Sequence, residues 1–298
     1  MSKNDAAVTE FKEETPHVSE FRRIAKIFLG RKIVVFGLVI ILLTIICAIF
    51  APWIAPYDPY ELDMTHSVMS PSWQHILGTD SLGRDILSRI IFGTRTSLLV
   101  GIIAVGIASL TGMTLGLLAG YFSGWVHMLI MRFTDSLMAV PMILLALVMA
   151  TLLGGGLKNV MIALGIGMMA VYTRLMCAQV LAVKENDYIM AQKAIGASNI
   201  RIILRHILPN CFPPLIVLVT LMMGSAILAE AGLSFLGIGL EPGNTAWGAM
   251  VSDGYRYLLT TPMLSFAPGV AIMLLVFAFN MVGDGLRDAL DPKLRGAF

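Results

Sequence analysis

Along this chain the apolar positions fall into long unbroken runs, not into alternating or 3.6-period stripes. Residues 33–49 are apolar apart from Thr44, and further runs cover 97–119, 128–153, 160–183, 211–233 and 263–282. Each approaches the roughly 20 residues a helix needs to cross about 30 Å of hydrocarbon. The pattern predicts an all-α integral membrane protein with about six transmembrane helices. Within the second run Gly112, Gly116 and Gly120 recur every fourth residue, a spacing that lets a neighbouring helix approach closely. The third run carries Arg132, Asp135 and Pro141, the fourth Arg174, the fifth Glu230. Between the last two runs, residues 232–250 are too glycine-rich for one regular helix.

Two stretches depart from the run pattern. In the leader, residues 1–32, Phe21, Ile24, Ile27 and Phe28 form one helical face and Arg22, Arg23 and Lys26 the other. That predicts a helix lying in the headgroup region ahead of the membrane domain at 33–298. The long polar leader and Pro52 argue against a cleaved signal peptide. The second stretch lies inside the loop 184–210. There Ala191, Ala194 and Ile195 sit at helical spacing, Gly196 interrupts, and Ile200, Ile203, Leu204 and Ile207 resume the stripe before Leu208 and Pro209. Lys193, Arg201, Arg205 and His206 lie off it. Two short amphipathic helices hinged at a glycine are predicted, either an ordinary hairpin or a grip for a partner.

Composition agrees, with 57% hydrophobic and 13% charged residues and a mean hydropathy of +0.82. The net charge of +2 says less than its placement. With the N-terminus inside, that side receives Lys3, Lys12, Arg22, Arg23, Lys26, Arg31, Lys32, Arg132, Arg174, Lys184, Lys193, Arg201, Arg205, Arg287, Lys293 and Arg295. The outer side keeps Arg84, Arg89, Arg95, Lys158 and Arg256, so both termini and the loop are expected in the cytoplasm.

Catalytic chemistry is hard to assemble. No Gly-Lys dipeptide occurs, which excludes a Walker A loop, and His-Glu-x-x-His, Gly-x-Ser-x-Gly and Cys-x-x-Cys are all missing. Cys47, Cys177 and Cys211 read as small buried hydrophobes, and the 20 methionines as gap fillers, so no metal site is expected. Nothing suggests nucleic-acid binding. Intramembrane charges remain. Arg132 and Asp135, at i and i+3, read as a structural ion pair or as a substrate contact. Arg174 reads as a snorkelling side chain. Glu230 reads as a contact to a partner subunit or as a wall of a passage meeting a cationic group, such as a peptide ammonium.

Four separated stretches carry a family likeness: G-T-D-S-L-G-R-D at 78–85, the loop at 187–210, S-F-L-G-I-G…W-G-A-M at 234–250, and F-N-M-V-G-D-G-L-R-D-A-L-D-P-K at 279–293. In that order they resemble the second membrane subunit of dipeptide/oligopeptide/nickel ABC importers, over nearly the whole chain. Ala191, Gly196 and Leu208-Pro209 match the family's coupling loop, while Met190 and Gln192 stand where it has Glu and Ala. The resemblance implies a type I importer permease fold in a prokaryotic inner or plasma membrane. It also implies a heterodimer with a related permease, two cytoplasmic ATPase subunits that bind the ATP and Mg, and an extracytoplasmic solute-binding protein. Its substrates are peptides, or else nickel, glutathione or a related small solute. Ala191, Ala194, Gly196, Ala197, Arg201, Arg205, Leu208 and Pro209 would then meet the ATPase. The outer segments with Asp80, Arg84, Asp85 and Trp247, and on from Glu241, would dock the binding protein or else serve the surface fold. A secondary transporter or a membrane-embedded enzyme is the rival reading; clustered mid-span ionisable groups or a catalytic pair would favour one or the other.

Overall fold

The computed structural model describes residues 20–239 and 245–290. Lys3, Lys12, Glu241, Asp291, Pro292, Lys293 and Arg295 lie outside the described residues, as do the side chains of Phe21, Arg22 and Arg23. The helices are α1 (Glu20–Gly30), α2 (Lys32–Ile54), α3 (Ile86–Phe122), α4 (Gly124–Met138), α5 (Met142–Leu152), α6 (Leu157–Lys184), α7 (Asp187–Ala194), α8 (Asn199–Ile202), α9 (Leu208–Phe235), α10 (Trp247–Tyr255) and α11 (Met263–Leu290). Among the described residues five spans are long and apolar enough to cross a membrane, and a sixth exists if α4 and α5 together make one.

That sixth span differs from the single helix expected over 128–153. α4 and α5 are bent by 92°. Pro141, itself extended with ψ of 129°, lacks the N–H that would continue the ladder, its ring would strike the carbonyl four residues back, and it disfavours helical geometry at Val140, which lies outside both helices. The pair nevertheless carries the chain across. A Cβ at Gly112 would lie 2.5 Å from the Met169 carbonyl oxygen, one at Gly116 would strike the Thr173 carbonyl, and one at Gly120 would lie 2.7 Å from Val180 Cβ. Residue numbers on α3 and α6 thus rise together, so the two helices are parallel and the chain must return between them. The fourfold glycine spacing is the seam of this contact.

The other registers complete the path. Gly101 of α3 faces Met223 and Ile227 of α9, Gly224 faces Val276 and Asn280 of α11, and Gly37 of α2 faces Ala278 and Met281. Each of these pairs is antiparallel, because a second contact runs in the opposite sense: Tyr121 with Asn199 of the helix leading into α9, Leu221 with Gly283, and Val34 with Gly285. The described ends, Glu20 and Leu290, therefore lie at the same end of the bundle as the α6–α9 loop; there Arg31 of the α1–α2 junction pairs with Asp288. Within the most apolar window of each helix α6 is 67% buried and α2 only 11%, which makes α6 the centre and α2 the apolar rim. Between α9 and α10, positive φ at Gly237 (80°) and Gly239 (125°) ends the helix, as the glycine-rich stretch predicts.

Candidate functional site

The α6–α9 loop is built on a turn that its glycine dictates. Gly196 has φ of +79°, the Ala197 N–H donates to the Gln192 carbonyl (3.0 Å) and the Gly196 N–H to the Lys193 carbonyl (3.0 Å). This Schellman pair satisfies the last carbonyls of α7. Ser198 then caps α8, its hydroxyl accepting from the Arg201 N–H at 3.4 Å.

Beyond Ser198 the chain departs from the expected second short helix. α8, a π-helical turn at Ile203–Ile207 and α9 run on as one 37-residue helix, Asn199–Phe235. Pro209 does not end the stripe; it sits at the start of α9. In the π turn the Leu208 N–H reaches the Ile203 carbonyl, five residues back. The wider turn accommodates a proline whose ring would clash with a carbonyl in α geometry.

The loop has two faces. Ile189, Ile202 and Ile207 are fully buried with Tyr121, Met176, Val180 and Leu215, each contributing roughly 1.5–3 kcal/mol of burial. Polar contacts add to this anchor. The Tyr121 hydroxyl donates to Asn199 Oδ1 (2.6 Å), and Lys184 Nζ donates to the Tyr121 carbonyl (2.9 Å) and Ser123 Oγ (2.9 Å). The other face is open. Ala191, Ala194, Gly196, Arg201, Arg205 and Pro209 are exposed, with Ala197 and Leu208 half-buried. Tyr188, Met190, Ile195, Ile200 and Leu204 are exposed beside them, Ile195 and Ile200 by 75% and 71%. Most of the apolar stripe read from sequence therefore points away from the bundle. The anchors Ile189 and Ile202, off that stripe, escaped sequence reasoning; only two interleaved isoleucine sets hinted at a second face.

At the opposite end, residues 55–85 fold over the mouth of α3. Asp80 accepts from Arg84 Nε at 2.7 Å and pairs also with Arg89, with all three residues buried. Asp85 caps α3, accepting from the Ser88 N–H (2.8 Å) and facing His75 Nδ1 (3.0 Å). Trp247 packs on Gly93 and donates Nε1–H to the Ile90 carbonyl at 3.0 Å. Asp80, Arg84, Asp85 and Trp247 are thus interior groups that brace this end of the bundle. A binding protein meeting this end would touch its exposed rim instead, where Trp73, Met64 and Leu259 stand clear.

The intramembrane charges also rearrange. Asp135 pairs with Arg174 (2.5 Å), not with Arg132, tying α4 to α6. The i, i+3 pairing fails because α6 presents a guanidinium to the same carboxylate; Arg174 therefore does not simply snorkel. Arg132 makes no ion pair among the described residues. Glu230 is wholly buried, with Oε1 accepting from Ser234 Oγ at 2.6 Å. A side chain closed off by its own chain neither lines a passage nor touches a partner in this conformation. Of the cysteines, Cys177 and Cys211 are buried and Cys47 half-buried, all as free thiols.

Residues 112–296 match the model of a family described as binding-protein-dependent transport system inner membrane component. Residues 19–71 match the N-terminal transmembrane domain of oligopeptide transport permease C. A dipeptide transport system permease protein of Alkalihalophilus pseudofirmus is 45% identical over 278 residues, 93% of this chain and 91% of that one. A di/tripeptide transport system permease protein of Pseudomonas aeruginosa is 45% identical over 88% of each chain. A glutathione transport system permease protein of Escherichia coli O157:H7 is 43% identical over 86% of this chain and 85% of that one. Among solved structures, an inward-facing methionine ABC transporter superposes with a TM-score of 0.57 at 17% identity, covering 69% of this chain and 98% of that chain, a likeness of fold.

Proposed function

This chain belongs to the family of binding-protein-dependent transport system inner membrane components, and on that premise we propose that it is one half of the translocation pathway of an ATP-driven importer of short peptides. The relatives named for dipeptides and di/tripeptides support the substrate class. Glutathione, itself a tripeptide, is named for another relative and falls in the same class.

The observation that carries the mechanism is the two-faced loop. Ile189, Ile202 and Ile207 fix it to the bundle, while Ile195, Ile200 and Leu204 stand exposed between Lys193, Arg201 and Arg205. An exposed apolar patch rimmed by cations is a docking face. Its partner is a cytoplasmic ATPase subunit that binds ATP and Mg, and a related permease supplies the other half of the passage. Closure of the ATPases displaces the loop, and the continuous helix Asn199–Phe235 carries that displacement inward as a rigid lever. Charge supports this orientation. Lys26, Arg31, Lys32, Lys184, Lys193, Arg201, Arg205 and Arg287 gather at the loop end, and two of the cations at the other end, Arg84 and Arg89, share the one Asp80 carboxylate. The solute-binding protein then delivers peptide at the end capped by residues 55–85.

The Asp135–Arg174 pair marks the passage wall. Arg174 lies ten residues before the Lys184 end of α6, roughly 15 Å along the helix, yet both side chains are about half exposed. Charges held at that depth face protein or water in preference to lipid.

Ile200→Glu and Leu204→Glu test the loop. Each places a charge where an apolar contact of about 1.5–3 kcal/mol is expected, so the ATPases should fall away on co-purification while membrane insertion is retained. Normal recovery of ATPases with both variants contradicts the assignment.

A further inference from the structure

A cavity of about 650 Å³ opens at the loop end of the bundle between α6, α9 and α11, within the size range of small-ligand sites. Its walls are mostly apolar, with Leu175, Val217 and Leu221 among them, and its polar groups are few: Gln179, Asn210 and Arg287. The α9 wall also carries Pro209, Pro213 and Pro214. In a helix the Pro209 carbonyl accepts from the nitrogen four residues on, or five in a π turn; those nitrogens belong to Pro213 and Pro214 and carry no hydrogen. The wall therefore includes a residue whose main-chain acceptor the helix does not satisfy, and that group takes its donor from water or from whatever fills the space. Asn210 gives one of its two Nδ2 hydrogens to the His206 carbonyl (2.6 Å), which fixes the amide and leaves its Oδ1 open as a second acceptor. Arg287 is exposed and makes no ion pair among the described residues.

We propose that this cavity is an inner vestibule that holds a short zwitterionic peptide by its two ends. Arg287 takes the C-terminal carboxylate; the Pro209 carbonyl and Asn210 Oδ1 take the N-terminal ammonium. A guanidinium suits a carboxylate because its planar donors match two oxygens, and oxygens lacking donors suit an ammonium, which brings three. Between the ends the apolar wall offers no directional partner, so side chains are accommodated without being read. The site recognises what every linear peptide shares and ignores what distinguishes one from another. It rests on the peptide-importer reading and deepens it, adding a place within the passage where cargo pauses before release.

The test uses the purified complex of this chain with its permease and ATPase partners, without binding protein. Equilibrium binding is measured for tri-alanine, its C-terminal amide and its N-acetyl form. The wild-type complex should bind either blocked peptide about tenfold or more weakly than tri-alanine, the scale of one charge-assisted hydrogen bond. Arg287→Gln should weaken tri-alanine by a similar factor and leave the amide where it was. Pro213→Ala gives the Pro209 carbonyl a helical donor, so it should weaken tri-alanine while sparing the N-acetyl form. A merely structural role would weaken all three probes alike. Equal wild-type affinity for the three, no wild-type binding, or losses indifferent to which end is blocked overturn the vestibule. Uptake of labelled tri-alanine by the complete reconstituted system is the separate check: uptake without end-specific binding sinks the vestibule alone, whereas absent uptake removes the importer reading beneath it.

Discussion

Replacing Gly196 separates backbone conformation from bulk. Its φ of +79° is left-handed, and a Cβ built there meets nothing within 4 Å. Steric collision therefore contributes nothing, and the penalty for a side chain is that of the conformation itself, roughly 1–2 kcal/mol for an ordinary residue and less for asparagine, which tolerates this region. A loss of 1–2 kcal/mol multiplies the population of loops with the Schellman bonds opened by roughly 5–30. An opened turn lets α7 swing about α8 instead of passing displacement along it. In proteoliposomes holding the complete complex, the ratio of peptide imported to ATP hydrolysed should fall from Gly through Asn to Ala, with Leu matching Ala because bulk meets nothing, while the amount of chain inserted stays constant. Gly196→Leu with an unchanged ratio would refute the reasoning, as would Gly196→Asn performing as poorly as Gly196→Leu.

Packing and charge give three further expected outcomes. Gly116→Leu should prevent α3 from seating on α6, since even a Cβ would strike the Thr173 carbonyl, whereas Gly106→Leu, with nothing within 4 Å, should leave thermal stability in detergent unchanged. Asp80→Ala strands Arg84 and Arg89 in a buried site and should destabilise the chain by about 3–5 kcal/mol, read as a lowered unfolding temperature. A double-mutant cycle of Asp135→Asn with Arg174→Gln should give a coupling of about 1 kcal/mol or less, the value of a water-exposed pair; several kcal/mol would place the pair against lipid instead.

Much of the architecture was legible because spans are written in long apolar runs, and the seam between α3 and α6 was legible as glycines at 112, 116 and 120. The break at Pro141 was visible as a residue yet not as a bend, since prolines inside α9 and α11 are absorbed without breaking those helices. In the loop, Gly196 was readable because its chemistry is local. Which face of the loop is anchored was not, because Ile189 and Ile202 are held by residues far away in sequence, Tyr121 and Met176 among them. The charges misled for the same reason: Asp135 finds Arg174, 39 positions on, and Asp80 is enclosed by a fold of the outer segment that no short-range pattern announces.

Reconstitution decides whether this polypeptide receives its work from elsewhere. In proteoliposomes the chain alone should neither hydrolyse ATP nor accumulate labelled tri-alanine, and both activities should return together when the second permease, the ATPases and the binding protein are added. ATP hydrolysis or concentrative uptake by the chain on its own would contradict it.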